Sequence, residues 1–495
     1  MPRCSVAPRT AWSVVLATLL AGCTTVGPDF KTPAAPTASS YTAGTLPAAT
    51  ASAPGALGPA QHLVTAGAVG SAWWTHFGSS RLDALVQQAL RNSPTLEAAR
   101  ATLRQAQETY RAQAGSTLYP TVSAKLGASR SAFSASSQGI DSSSTKIFNL
   151  YNAGIAVNYN LDLFGGNRRA LEALAAQADY QAYQLAGARL SVAGNVVTTA
   201  FAQAQLAAQI AATRAIAAAQ ADELAITRKR EQIGAASRVE VLSLQTQYEQ
   251  TLASLPPLRN KLQQAGHLLA LLVGQAPGQA HIAPFQLSDF QLPANLPVVV
   301  PSELVRQRPD VQASTALLHA ATAQYGVAVS NLYPQINLSA SLGSQALTTG
   351  ALFGPGSIIW SLAGQLAQPL FNAGLHAGAS AAQANLQAAG ANYRQTVLQA
   401  LRNVADALRQ LDNDAQALQA QAAADSAAQE SLHLVEQQYH LGAASYLQLL
   451  SAQQQAQSAR IGLLAAQAAR LADSAALYQA MGGGALSGKP AAAAS

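Results

Sequence analysis

Charge is scarce in this 495-residue chain: 11% of its residues are Asp, Glu, Lys or Arg, against about 25% in an ordinary soluble protein. Aromatic residues make up 6%, although 49% of the chain is hydrophobic, so Ala, Leu and Val carry the apolar content. That composition is poor material for several enzyme cores and good material for close-packed helices, whose backbones small side chains allow to approach. The formal charge of +6 is too dilute for a nucleic-acid surface. Of two Met, one is the initiator, which weighs against a metal role built on soft thioether ligands. His433 and His440 share a helix face but lie two turns apart, too far to chelate one metal. Gly482-Gly483-Gly484 follows a helix rather than opening one, so it reads as a C-cap and not a phosphate cradle. With no nucleophile elbow and no paired-carboxylate pocket, the chain is not expected to be an enzyme or to hold a cofactor or metal.

The two cysteines, Cys4 and Cys23, rule out a disulfide framework once their setting is read. Residues 1–22 have the form of a secretory signal peptide: Arg3 and Arg9, then the apolar Ala11–Leu20, too short to span a bilayer as a helix. The run ends Leu20-Ala21-Gly22-Cys23, the pattern of a bacterial lipobox. Cys23 is then the mature N-terminus, carrying S-diacylglycerol and N-palmitoyl groups, and Cys4 leaves with the signal. Thr24, where inner-membrane lipoproteins usually carry Asp, favours sorting to the outer membrane. Residues 23–72 then form the lipid anchor and an extended Pro-rich tether, with folded structure expected from Trp73-Trp74.

From there the chain repeats itself. Pro94 matches Pro309, Leu118-Tyr119-Pro120 recurs as Leu332-Tyr333-Pro334, and Leu163-Phe164 recurs as Leu370-Phe371. Gly234-Ala235-Ala236-Ser237 recurs as Gly442-Ala443-Ala444-Ser445, with Gln245 matching Gln453. Five anchors in order at nearly constant offset mark a duplication. Its halves are residues 73–300 and 301–485, followed by a disordered tail, 486–495.

Each half has one grammar. A leading helix stops at the Tyr-Pro, because Pro cannot extend helical bonding and pushes its predecessor toward extended backbone. A hairpin follows, over 121–163 in the first half and 335–371 in the second. Its strands alternate, with Val122, Ala124 and Leu126 against Ser123, Lys125 and Gly127, and Ile336, Leu338, Ala340 and Leu342 against Asn337, Ser339, Ser341 and Gly343. A long helix comes next, 168–232 or 375–441, reaching roughly 97 Å at 1.5 Å per residue. In the second of these, Val397, Leu401, Val404, Leu408, Leu411, Ala415 and Leu418 step by 4 and 3, a coiled-coil seam. The Gly-Ala-Ala-Ser turns reverse the chain, with Ser placed to cap the returning helices, 238–273 and 446–481. A kink is expected at Pro256-Pro257.

Strands of about 10 residues, apolar on one face and polar on the other, suit a transmembrane barrel wall. Four strands cannot close around a lumen, and an open edge in lipid leaves peptide groups unpaired, so several chains must associate.

These residues resemble an outer-membrane efflux lipoprotein of the TolC superfamily, in the NodT-type branch that serves resistance-nodulation-division (RND) pumps. The resemblance rests on Cys23-Thr24-Thr25-Val26-Gly27-Pro28-Asp29-Phe30, Trp73-Trp74-Thr75-His76-Phe77 and Leu161-Asp162-Leu163-Phe164-Gly165. It rests equally on Pro369-Leu370-Phe371-Asn372-Ala373-Gly374, Gly442-Ala443-Ala444-Ser445-Tyr446-Leu447 and the stretch Leu477–Gly484. It implies a mixed α/β membrane protein: a homotrimer whose 12-stranded outer-membrane β-barrel is continuous with a long periplasmic α-helical barrel. It further implies a gated conduit for small molecules, docked on a periplasmic adaptor (membrane fusion) protein and an inner-membrane RND-type pump. Carried over by position, the gate and adaptor-docking tips are Gly234, Ala235, Ala236 and Ser237 with Gly442, Ala443, Ala444 and Ser445. Both turns carry Ala where an acidic aperture ring would place Asp, and the nearest charges, Arg238, Glu240 and Glu436, read as solvated or paired. A TolC-like protein-secretion channel and a non-conducting coiled-coil scaffold lipoprotein are the competing expectations.

Overall fold

The computed structural model describes residues 25–66, 68–134 and 145–484. The signal peptide, Cys4, Cys23 and the tail 486–495 lie outside the described residues. In chain order the elements are β1 (His62–Ala66), α1 (Ser80–Asn92), α2 (Pro94–Thr117), β2 (Thr121–Ser134), β3 (Thr145–Leu161), α3 (Gly166–Gln232) and α4 (Arg238–Leu272). Then follow β4 (Asn295–Val299), α5 (Pro301–Gln307), α6 (Pro309–Ser330), β5 (Gln335–Ala346), β6 (Ile358–Ala367), α7 (Ala373–His440) and α8 (Tyr446–Ala480). From α1 to α4 and from α5 to α8 the order of elements is the same, and the long helices have 67 and 68 residues. Among the described residues no helix is long and apolar enough to cross a membrane.

The chain divides into two compact units. One comprises the chain up to Pro33 with Leu103–Tyr180 and Ser314–Tyr393. It holds an antiparallel sheet in the order β2-β3-β5-β6. The register gathers the apolar positions on one face: Val122 opposes Val157, Ile155 opposes Leu342, Leu342 opposes Trp360 and Ile336 opposes Leu366. The other face carries Ser123, Lys125, Asn158, Asn337, Ser339, Ser341 and Gln365 in register, and the hydroxyls of Ser341 and Ser361 meet at 2.8 Å. Ile359, opposite Gly343, departs from that pattern. The apolar face is bare: Leu342 is 61% exposed and Trp360 75%. Such a face in water would be costly, at roughly 25 cal/mol per Å².

In the same unit residues 25–30 are held firmly. Val26 donates its N–H to the Phe164 carbonyl at 3.0 Å. The buried Arg169 guanidinium reaches the carboxylates of Asp29 (2.6 Å) and Glu172 (2.7 Å). Glu172 in turn meets His319 at 2.8 Å, and Phe30 stacks on the His319 ring at 4.3 Å.

The second unit comprises Ala34–Thr102, Gln181–Ala313 and the chain from Arg394. Its core packs Trp73 on Tyr478, and Phe77 on Phe201, which meets Phe290. The seam of α7 is buried at Val397, Val404, Leu408, Leu411, Ala415 and Leu418, as a coiled-coil repeat requires. α4 continues through Pro256 and Pro257.

The Pro-rich segment is extended, as its composition dictates, but it is packed rather than loose, and structure begins before Trp73. β1 pairs in parallel with β4, His62 opposite Asn295. The fully buried Arg470 of α8 donates to the carbonyls of Gly58 and Pro59 (both 3.2 Å) and to the side-chain oxygens of Thr50 and Gln61 (both 3.0 Å). The Gln61 amide donates to Ser474 Oγ and the Pro293 carbonyl. Burying a guanidinium is costly unless its donors are met; this Pro-rich strap supplies acceptors to both terminal nitrogens, while Nε is buried without a partner.

Candidate functional site

The two Gly-Ala-Ala-Ser turns lie in the second unit and share the same closing and capping bonds. At the end of α3, Gly234 adopts a φ of 76°, a left-handed conformation that glycine takes without a Cβ penalty. Its N–H reaches the Glu231 carbonyl (2.9 Å) and that of Ala235 the Arg230 carbonyl (2.8 Å). At the end of α7, Gly442 has the same φ of 76°, with Gly442 N–H on Tyr439 (3.0 Å) and Ala443 N–H on Gln438 (2.8 Å). Both are Schellman closures, which satisfy the last carbonyls of a helix.

Each serine then caps the helix that leaves. Ser237 Oγ accepts from the Glu240 N–H at 3.2 Å, and the Glu240 carboxylate accepts from the Ser237 N–H at 3.0 Å. Ser445 Oγ accepts from the Gln448 N–H at 3.3 Å, and Gln448 Oε1 accepts from the Ser445 N–H at 2.6 Å. These reciprocal capping boxes hold the turns in shape without tertiary help. The boxes differ in charge, the first closing on a carboxylate and the second on an amide, and the second turn adds a bond from the Ala444 N–H to the Gln438 carbonyl (3.2 Å).

The turns present side chains outward. Ile233 (80% exposed) and Leu441 (84%) occupy equivalent positions just before the glycines. Val239 and Leu447, equally exposed, occupy equivalent positions just after the serines. Each chain reversal thus presents exposed apolar side chains at matching positions. Beneath them Leu224 of α3 packs with Val241 and Leu244 of α4, and Tyr248 and Tyr446 close on that cluster.

The charges singled out in the sequence have separate fates. Arg238 pairs with Glu231 at 3.5 Å, and Glu240 is spent on its capping box. Glu436 is half-buried and makes no direct ion pair among the described residues: burial pushes its carboxyl above the usual range and Glu223 pushes it further, opposed by His433 and His440. Burial likewise pushes the Tyr446 hydroxyl up to about 12. His433 meets the Gln437 side chain at 3.0 Å. Among the described residues no three His, Cys, Asp or Glu side chains cluster as metal ligands.

Sequence reading missed Arg470 and the Arg169–Asp29 clamp. A signal existed for the first: Arg470 interrupts an apolar stripe at Leu463, Ala468, Leu471 and Ala475, where a cation needs a partner to stay.

A family model described as outer membrane efflux protein matches residues 85–275 and 300–483. The pyoverdine export outer membrane protein OpmQ of Pseudomonas aeruginosa is 30% identical over 416 residues, 83% of this chain and 87% of that protein. The toluene efflux pump outer membrane protein TtgC of Pseudomonas putida is 30% identical over 474 residues, 95% of this chain and 94% of that protein. Among solved structures, the outer-membrane channel OprN superposes with a TM-score of 0.82 at 25% identity, covering 92% of this chain and 99% of that one. The outer membrane protein VceC of Vibrio cholerae gives 0.76 at 26% identity, covering 84% and 99%.

Proposed function

The chain belongs to the outer membrane efflux protein family, and on that premise we propose that it is the outer-membrane conduit of a three-part export system, carrying small molecules from the periplasm to the exterior. The observation that carries the mechanism is the sheet. Its apolar face suits lipid and its polar face suits water. Its outer strands, β2 and β6, each pair on one side only among the described residues. In a bilayer those edges must be paired, because each unmet peptide group there costs several kcal/mol. Three copies joining β6 of one to β2 of the next close a 12-stranded barrel wide enough for a water-filled lumen. The matched order of elements in the two halves supports an internal duplication, which gives each chain two hairpins and two helix tips.

The turns Gly234–Ser237 and Gly442–Ser445 then form the periplasmic gate and the docking surface for the adaptor, which couples the conduit to an inner-membrane RND-type pump. Ile233, Val239, Leu441 and Leu447 supply the apolar contacts. Because the capping boxes make each turn a rigid unit, opening moves whole helix ends rather than remodelling loops. Cys23, two residues before the clamped Thr25–Phe30 segment, carries the lipid anchor.

Single-channel conductance of the detergent-purified, acylated protein in a planar bilayer, with its mass measured in parallel, tests this. A trimer that inserts and conducts is expected. A monomer that never conducts would overturn the conduit and return the scaffold.

A further inference from the structure

Below the aromatic core of the second unit lies a cleft of 820 Å³ between α3 on one side and α7 and α8 on the other. Its volume falls in the range of sites that take drug-sized molecules, about 300–1,000 Å³. The α3 wall is a strip of alanines, Ala208, Ala212, Ala215 and Ala219, and Leu432 and Leu464 face it. Among the lining residues are side chains whose buried polar atoms lack partners. Gln220 is 2% exposed, yet neither its Nε2 nor its Oε1 meets a hydrogen-bond partner, and Gln453 Oε1 is likewise buried and unmet. An amide left bare in this way is penalised, and a ligand with its own donor and acceptor would recover that penalty.

Charge in the cleft has one sign to spare. Arg460 is matched by Asp425 at 3.2 Å. Among the described residues Glu436 makes no direct ion pair, and Glu223 of α3 adds a second negative charge nearby, offset by His433 and His440 on the helix of Glu436. Burial and Glu223 both disfavour the Glu436 carboxylate, so a cation placed there would be welcome.

We propose that this cleft binds an amine-bearing amphiphile: an apolar body along the alanine strip, a polar group on the Gln220 and Gln453 amides, and an ammonium on Glu436. This deepens the conduit reading and rests on it for its consequence. The two walls run on to the Gly234 and Gly442 turns, so a molecule bridging them ties the two tips together and holds the gate in one state.

The test uses the full-length assembly with a single thiol at Ala215→Cys inside the cleft, a control thiol at Ala424→Cys on the exposed part of α7, and wild-type protein as background. The probe is tetracaine, with butyl 4-aminobenzoate as its uncharged counterpart. At about ten times its Kd, tetracaine should slow alkylation at 215 about tenfold, leave 424 unaffected and outperform the neutral ester. Gln220→Leu should abolish protection by both compounds. Glu436→Gln, which keeps the side-chain shape, should erase the preference for the amine, and tetracaine should reduce channel opening in wild type but not in this variant. Alkylation at 215 unchanged by tetracaine would overturn the site, as would equal protection at 215 and 424. Equal protection by amine and ester would overturn the role of Glu436. A ligand-free protein that never conducts would sink the conduit and leave the alkylation result standing.

Discussion

The orientation of the sheet can be tested by two substitutions one residue apart. Leu338 lies on the apolar face of β5, between Tyr159 and Gly364. Ser339 lies on the polar face, between Asn158 and Ala363. Leu338→Asp puts a carboxylate into lipid, at about 2–3 kcal/mol per chain, and forfeits roughly 1–2 kcal/mol of apolar transfer. Near 4 kcal/mol per chain, three copies lose on the order of 12 kcal/mol, comparable with the ~5–15 kcal/mol net stability of a folded protein. Ser339→Asp leaves its charge in water, where surface substitutions change stability by about 0.5 kcal/mol or less. The assay is the fraction of each variant recovered from outer membranes as trimer, followed by conductance of what is recovered. Leu338→Asp should be almost absent and Ser339→Asp close to wild type. Equal recovery of the two would refute the assignment of lipid and water to these faces.

Four further outcomes are expected. Ser445→Ala breaks a capping box and should lower the protection of the first turn of α8 by about 1 kcal/mol in amide hydrogen exchange, leaving α4 unchanged. Arg470→Leu removes four hydrogen bonds to the strap, leaving the Pro59 carbonyl and Gln61 Oε1 unmet while Gly58 and Thr50 keep Ala53 and Gln61 N–H, and should cost about 2–4 kcal/mol in thermal unfolding; a loss below 1 kcal/mol would mean the strap is held by something else. Arg169→Met should release residues 25–30, read as new protease cleavage before Lys31 with the helices intact. Burial pushes the Asp473 carboxyl up to about 8, reinforced by the neighbouring Asp414 and opposed by Arg470. Between the ordinary carboxylate range and that value the folded chain keeps a proton that the unfolded chain has released. Stability contributed by this group therefore falls as pH rises from about 4 to 8, and Asp473→Asn should flatten that slope in a melting series.

Much of this architecture was legible because it is periodic or punctuated. Tyr119-Pro120 and Tyr333-Pro334 mark the ends of the leading helices, since proline is a local steric fact. The strands showed themselves through alternation, and the two turns through a repeated four-residue word whose Gly and Ser have fixed roles in ending and starting helices. The family followed from such words in order. What stayed hidden depends on contacts distant along the chain. β1 is five residues, His-Leu-Val-Thr-Ala, whose partner β4 begins at Asn295; nothing local to either announces the other. The strap reads as a linker because its acceptors are backbone carbonyls, invisible in a sequence, while the donor that needs them sits on α8. Glu436 reads as one more helix charge until Glu223 and the cleft are placed beside it.

The sheet contains one place where side chains are absent by necessity. Gly154 and Gly343 oppose each other across β3 and β5 on the polar face. A Cβ built on Gly154 would stand 2.9 Å from the Gly343 Cα, and one on Gly343 would stand 2.7 Å from the Ala153 carbonyl oxygen. With nothing projecting there, the two central strands can bend toward each other on that side, while the other side carries Ile155 and Leu342 as spacers. The sheet thus behaves like a bimetal strip, long on its oily side and short on its wet side. In the proposed barrel the diameter would follow from that difference: an alanine at either glycine would push for a wider, flatter arc and set the copies at odds over where their edges meet.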